Sequence, residues 1–267
     1  MLMTTINCSQ KSNIHLIIIP GGPGLSSKTL FHLEALKDDY HLHFLDMQGT
    51  GDDQYTEKKT FHELCSSISD VVKNCEGMTY LIGHSFGGLL AMETANNCNV
   101  DGVICLATPM SKEIFGAVSK NYLLKESEEL KKSQVEWNKN PSNETFAKWL
   151  SLYGDLYFEN DRVGSKGKLL LNDKVSFQFF LDNRSDALLC TQVAEKFKNN
   201  ITNKLFLAGE KDGILPLEMQ KQDALNAGFK FQEIKGANHF LTVDCPDAVV
   251  LEIKKFVGNN AIIKGVL

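Results

Sequence analysis

Tyr80-Leu81-Ile82-Gly83-His84-Ser85-Phe86-Gly87-Gly88 lies between an apolar run and a helical pattern, and its reading decides the fold. Met78 to Ile82 reads as a short buried strand, and Phe86 to Ala95, with small and apolar residues on one side, reads as a helix. A serine squeezed between them must occupy a very tight strand-to-helix turn. The flanking glycines then matter, because a Cβ at either position would collide with the neighbouring strand or helix. Such a turn pushes the Ser85 hydroxyl out of the backbone and aims the first amides of the helix at whatever the serine attacks. Serine-dependent acyl transfer is the chemistry that this geometry suits.

A Gly-x-Ser-x-Gly pentapeptide is common enough that it needs partners. Leu205 to Ala208 reads as a buried strand running into Gly209-Glu210-Lys211-Asp212-Gly213, a polar turn that places a carboxylate just past the strand end. Phe229 to Ile234 alternates as a strand and leads into Lys235-Gly236-Ala237-Asn238-His239-Phe240, a loop from which a histidine can reach over the sheet edge. Ser85, Asp212 and His239 thus follow three different strands in the order serine, aspartate, histidine.

With these segments in place the chain resembles the α/β-hydrolase superfamily over almost its whole length. The matching stretches are Ile19-Pro20-Gly21-Gly22-Pro23-Gly24, Asp46-Met47-Gln48-Gly49-Thr50-Gly51, Gly83-His84-Ser85-Phe86-Gly87, Gly209-Glu210-Lys211-Asp212 and Gly236-Ala237-Asn238-His239. The Gly-Gly-Pro-Gly and Asp-x-x-Gly-x-Gly loops are similar to those of the proline iminopeptidase branch. That branch usually carries His where this chain has Pro20, Arg where it has Gln48, and Gly-Gly-Ser-Trp-Gly at the elbow. The resemblance implies an α/β-hydrolase fold, with a mostly parallel sheet flanked by helices and an inserted helical cap.

Continuous apolar runs separated by helices in the first hundred residues are the pattern of a parallel sheet covered on both faces. Strands are expected at Ile14–Ile19, Leu42–Leu45 and Val103–Ala107. Helices are expected at Leu25–Leu36, capped by Ser26 or Ser27, and at Phe61–Val72, begun at Thr60. Only about a dozen residues precede the first strong strand, where the family usually spends more on two antiparallel strands, so that edge is expected to be short. From Ser111 to Asn200 strong strands vanish. Lys120 to Lys139 is dense in Lys and Glu, and Phe146–Tyr153, Val175–Leu181 and Ala187–Phe197 read as helices. The expected division is a core of residues 1–110 and 201–267 around a helical insertion, 111–200, that closes the pocket and sets substrate choice. Helices return near Leu217–Leu225 and Ala248–Val257.

Length and composition narrow the function. A chain of 267 residues buries a substantial core, and its net charge of −5 has no basic stripe or aromatic-interleaved patch of the kind that binds nucleic acid. Its seven cysteines are scattered, without a Cys-x-x-Cys spacing, and read as reduced residues of a cytosolic protein rather than a disulfide framework or metal site. The amino terminus shows no signal-peptide pattern, and no apolar run is long enough to span a bilayer. A cytoplasmic protein without membrane association or cofactor is expected.

Roles follow from chemistry and resemblance. Ser85 is the candidate nucleophile, which needs a base to take its proton; His239 is the candidate base, and Asp212 the group that orients it. Of the other histidines, His15, His41 and His43 lie in or beside strands, His32 and His62 lie on helices, and His84 reads as packing. Glu210 rivals Asp212 from two residues away, whereas Asp101 precedes its strand and falls at the wrong end of the sheet. The backbone amide of Phe86 is one expected oxyanion donor, and resemblance supplies that of Gly22 as the second. An aminopeptidase would also need carboxylates near the pocket to hold a free ammonium. Asp155, Glu159, Asp161, Asp182 and Asp186 are the candidates within the insertion. The expected activity is hydrolysis of an ester or amide of a small molecule or short peptide through an acyl-serine, with the ester reading slightly ahead. The alternatives are an iminopeptidase-like aminopeptidase, a carbon–carbon bond hydrolase and a ligand receptor on the same scaffold.

Overall fold

Residues of opposite parity along the central strands bury against opposite helical layers, and this alternation builds the molecule. A computed structural model describes residues 1–8, 12–159, 167–184 and 187–263. Its strands are β1 (Leu2–Ile6), β2 (Ile14–Ile19), β3 (His41–Asp46), β4 (Met78–His84), β5 (Gly102–Leu106), β6 (Asn203–Gly209) and β7 (Lys230–Ile234). They form one sheet in the order β1-β3-β2-β4-β5-β6-β7, parallel except for β1, which runs antiparallel to β3. Ile17 and Ile19 of β2, Leu81 of β4 and Phe206 of β6 pack on one face with helices α1 (Phe61–Lys73), α2 (Phe86–Asn97) and α9 (Ala187–Lys198). Leu16, Ile18, Ile82 and Leu205 pack on the other, against α12 (Pro246–Ile263) and a 3₁₀ helix at Ser27–Leu36. The period of two thus feeds two cores from the same strands.

The expected edge shortening takes the form of a single antiparallel strand, β1, whose side chains are largely exposed. The helix expected at Leu25–Leu36 is a 3₁₀ helix, entered through Ser26. Its buried residues Leu30, Leu33 and Leu36 recur every third position, and a three-residue turn keeps such a stripe on one face. Helix α1 starts where expected, with Thr60 and Glu63 forming a reciprocal capping box. None of the seven cysteines forms a disulfide.

Between β5 and β6 the described chain is helical: α3 (Lys112–Leu124), α4 (Glu128–Lys139), α5 (Asn143–Ser151), α6 (Gly154–Tyr157), α7 (Gly167–Leu171), α8 (Phe177–Asp182) and then α9. The first six build an aromatic cluster around Trp137, Phe146, Tyr157 and Phe158 that also takes in Leu25, Leu215 and Phe240 from loops at the carboxyl ends of the strands. Two hydrogen bonds dock this layer on the glycine loops: Ser176 N–H donates to Gly24 O at 2.9 Å, and Gly51 N–H donates to Lys174 O at 2.9 Å. By contrast, Cys190, Val193, Ala194 and Phe197 of α9 pack into the sheet-side core. Helices α10 (Leu217–Asn226) and α11 (Leu241–Asp244) complete the set. The buried Lys204 ammonium lies 4.5 Å from the Phe197 ring centroid and donates to the Phe197, Lys198 and Ala227 carbonyls at 2.8, 3.1 and 3.2 Å. One cation thereby caps the last turns of both α9 and α10.

Candidate active site

Ser85 sits between β4 and α2 at φ +50°, ψ −118°, a backbone conformation that costs a non-glycine residue roughly 1–3 kcal/mol. Its surroundings impose that conformation. The Ser85 amide donates to Leu106 O at 2.8 Å, and its carbonyl accepts from Gly88 N–H at 3.0 Å. A Cβ on Gly83 would run into the Gly87 carbonyl, one on Gly87 into the Ile19 and Pro20 carbonyls, and one on Gly88 into the Thr108 side chain. The glycines are therefore needed for close approach, as the sequence implies.

Asp212, just beyond β6, and His239, between β7 and α11, are both buried, and His239 Nδ1 lies 3.0 Å from Asp212 Oδ2. A carboxylate accepts, so Nδ1 carries the hydrogen and Nε2 of the neutral ring is left as the basic nitrogen. Asp212 is held from three further sides. Oδ1 accepts from the Ile214 and Leu215 amides at 2.9 and 2.8 Å, and Oδ2 accepts from Gln220 Nε2 at 3.1 Å. Glu210 is engaged elsewhere, accepting from Gly236 N–H at 2.8 Å, and Asp101 accepts from Thr79 N–H at 2.7 Å at the opposite end of β4.

Ser85, His239 and Gly22 line one cavity of about 280 Å³, at the small end of ligand sites. Gly22 has φ +112°, open to glycine and strained for other residues. Phe86 sends its side chain into the sheet-side core, so only its backbone is left to serve the site. Its amide opens α2, where no carbonyl one turn earlier is available within the helix. The rest of the wall is mainly apolar, with Leu25, Phe115, Val118, Trp149, Phe180 and Ile214 prominent. Its polar handles are the Tyr122 and Tyr157 hydroxyls, 2.6 Å apart, and Arg184, whose guanidinium lies 6.0 Å from the Phe180 ring centroid. Burial pushes Tyr122 up to about 12 and raises Tyr157 well above the usual phenol range, so both stay protonated donors.

Three supporting residues were not singled out by sequence reasoning in these roles. Asn238 Oδ1 accepts from Gly213 N–H at 2.8 Å and from His239 N–H at 2.7 Å, tying the aspartate turn to the histidine loop. Gln220 reaches Asp212 from one turn into α10. His84, expected only to pack, also hydrogen-bonds through Nε2 to the carbonyl of His239 at 3.0 Å, its ring centroid 4.9 Å from the His239 ring. Burial, reinforced by His239, pushes His84 down to about 3. Its neutral ring donates from Nε2, and among the described residues buried Nδ1 has no hydrogen-bond partner.

Of the carboxylates considered for an ammonium, the described ones, Asp155, Glu159 and Asp182, do not line the cavity. Asp155 lies 3.7 Å from Lys125, Glu159 pairs with Lys211 at 2.7 Å, and Asp182 accepts from the Tyr55 hydroxyl and faces Lys58 at 3.9 Å. Asp161 and Asp186 lie outside the described residues. Gln48, at the position where the iminopeptidase branch usually has Arg, accepts from the Thr56 and Glu57 amides at 3.3 Å each and braces its own loop.

A model of the alpha/beta hydrolase family matches residues 16–253, and the chain belongs to that family. Solved structures repeat the fold across nearly the whole chain. MenH from S. aureus is similar at TM-score 0.74 and 17% identity, covering 97% of this chain and 98% of its own. A thermophilic esterase from Thermogutta terrifontis gives 0.70 and 16%, covering 97% and 93%. A proline iminopeptidase from Mycobacterium smegmatis gives 0.66 and 14%, covering 98% and 95%. Among curated proteins no match is found. Among the described residues no helix is long and apolar enough to cross a membrane.

Proposed function

We propose that this hydrolase cleaves a small ester through an acyl-Ser85 intermediate. The observation that carries the reading is the buried Asp212–His239 pair bordering the same cavity as a serine held at positive φ. In this mechanism Ser85 Oγ attacks the acyl carbon while its proton passes to His239 Nε2, and Asp212 stabilises the imidazolium. The Gly22 and Phe86 amides hold the oxyanion. Collapse of the tetrahedral adduct breaks the bond to the leaving group, which departs with the proton from His239. Water then attacks the acyl-enzyme, giving its proton to His239, and the acid leaves as Ser85 recovers its hydrogen.

Helices α3–α8 act as the cap in this reading, and their aromatic wall selects the acyl group. Arg184 places positive charge on that wall, and no carboxylate of the described residues accompanies it. A neutral or anionic ester suits such a wall better than a peptide bearing a free ammonium. The test is intact mass after brief exposure to a fluorophosphonate, with Ser85→Ala as control, followed by short-chain p-nitrophenyl esters against prolyl and other aminoacyl amides. A single adduct on the wild-type protein alone, with ester turnover ahead, is expected. Amide turnover ahead would move the assignment to the aminopeptidase. No adduct on folded protein would remove the acyl-enzyme and favour a ligand receptor.

A further inference from the structure

At the end of the sheet remote from Ser85, the alternation that builds the core gathers a second cluster of chemistry. His15 is the second residue of β2 and His43 the third of β3; both project to the face that α1 covers, and Cys75 follows α1 on the way to β4. One ligand-capable atom from each of the three lies within 4.8 Å of the others. His15 Nδ1 is 3.0 Å from His43 Nε2, and Cys75 Sγ is 3.8 Å from that same nitrogen. Tetrahedral zinc with ordinary bond lengths would set two nitrogens about 3.3 Å apart and a nitrogen and a sulfur about 3.6 Å apart. The His15–His43 and His43–Cys75 spacings lie within a few tenths of an ångström of those values, and His15 Nδ1 and Cys75 Sγ, within 4.8 Å of each other, would close toward about 3.6 Å on binding.

Hydrogen bonds outside the cluster orient its rings. His15 Nε2 lies 3.0 Å from Glu76 O, and because a carbonyl only accepts, His15 carries its hydrogen there and presents the Nδ1 lone pair inward. His43 Nδ1 lies 3.2 Å from the Thr5 hydroxyl, which can donate or accept. With no cation, Thr5 donates to His43 Nδ1, and His43 Nε2–H donates to His15 Nδ1. Moving the His43 hydrogen to Nδ1, where it donates to Thr5, turns both lone pairs inward without changing the ring's charge. This is the support that metal-binding imidazoles commonly have. His41, stacked on His15 at 4.9 Å, does not join them. Its Nδ1 accepts from Cys8 N–H at 3.2 Å, and its Nε2 donates to Ser12 O at 2.9 Å. His15 and Cys75 are only partly buried, which leaves an approach from solvent.

We propose that His15, His43 and Cys75 bind one zinc-class divalent cation through two imidazole nitrogens and a thiolate, with water in the fourth position. Binding releases one proton to solvent, from the Cys75 thiol, and the His43 proton only changes nitrogen. The cation would clip β2, β3 and the α1–β4 turn together, away from the Ser85 cavity. This inference stands independently of the acyl-enzyme reading.

The test titrates chelator-treated full-length protein with Co²⁺ and then Zn²⁺. One equivalent of Co²⁺ should raise a thiolate-to-cobalt charge-transfer band in the near ultraviolet, and Zn²⁺ should displace it. Calorimetry in two buffers of different ionisation enthalpy should report about one proton released. Cys75→Ala should abolish the band, His15→Gln should weaken binding, and Cys98→Ala should behave as wild type. Thr5→Val, which keeps every ligand, should lower affinity about ten- to a hundredfold. In the unmutated protein, Zn²⁺ should also protect Cys75 from iodoacetamide, read by peptide mass, which covers the case where a variant fails to fold. No band at millimolar Co²⁺, a band that survives Cys75→Ala, or alkylation of Cys75 unaffected by Zn²⁺ would each overturn the proposal.

Discussion

Replacing His84 by Gln should flatten the acid side of the stability profile. In the folded protein His84 is fully enclosed and holds its proton only below about pH 3, against an ordinary value of 6.5. The unfolded chain protonates at the ordinary value, so between the two the unfolded state binds one more proton and is stabilised relative to the folded one as pH falls. Stability contributed by the neutral ring is complete above about pH 6.5 and declines below it by at most about 1.4 kcal/mol per pH unit. At pH 5 the loss from this one residue is about 2 kcal/mol. Glutamine can still donate to the His239 carbonyl from its amide nitrogen and does not titrate. Urea unfolding of both proteins between pH 7.5 and 5 gives the test. His15 and His43 are also depressed by burial and bend both curves downward, but they cancel in the difference. The gap between wild type and His84→Gln should close, or reverse, by about 2 kcal/mol over that range. Parallel curves would falsify the argument, because they would mean that the folded protein admits a proton at His84 as readily as the unfolded chain does.

Asp212→Asn keeps the shape of the turn but must set an amide against the Ile214 and Leu215 N–H donors or against His239; kcat on an ester should fall about 10⁴-fold, with unfolding changed far less. Asn238→Ala strands the Gly213 and His239 amides, so unfolding free energy should drop by about 1–3 kcal/mol and kcat should fall more than KM rises; an unchanged kcat would remove Asn238 from any positioning role. Lys204→Met leaves three carbonyls, two of them in buried bonds, without their shared donor, and should cost about 3 kcal/mol in urea melts without altering KM.

The parts of the fold legible in the sequence are those held by burial. β2 and β4 carry apolar runs at Leu16–Ile19 and Tyr80–Ile82 because helices cover both their faces there, and the glycines around Ser85 mark places where backbones touch. β1 escaped because its side chains are exposed and it is secured by backbone pairing with β3, which leaves no hydrophobic period to read. The three-residue spacing of Leu30, Leu33 and Leu36 was present in the sequence, yet it fits a loosely read α-helix as well as the tighter turn it forms. At the site, Ser85, Asp212 and His239 could be located because each follows a strand. Gln220 and Asn238 could not, since a polar residue in a helix or loop shows nothing of what it reaches. The carboxylates of the insertion were equally ambiguous: only side-chain direction separates one that lines a cavity from one that pairs with a surface lysine. His15, His43 and Cys75 are separated by 28 and 32 positions, a spacing unlike any local metal motif; the pairing of β2 with β3 brings the histidines together, and the turn from α1 into β4 adds Cys75.

The packing of α9 against α2 bears on how this fold can exchange parts with its relatives. By sequence alone the natural seams for a transplanted insertion would lie at the ends of β5 and β6. Yet α9 fills the sheet-side core with Cys190, Val193, Ala194 and Phe197, and its last carbonyls are held by Lys204 of β6. A chimera cut at β6 would tear out part of the foundation on which the helix after Ser85 rests, whereas one cut between α8 and α9 would replace the cavity's aromatic wall and keep that foundation. The portable unit, which evolution or an engineer can trade to change substrate, is thus shorter than the interval between the strands.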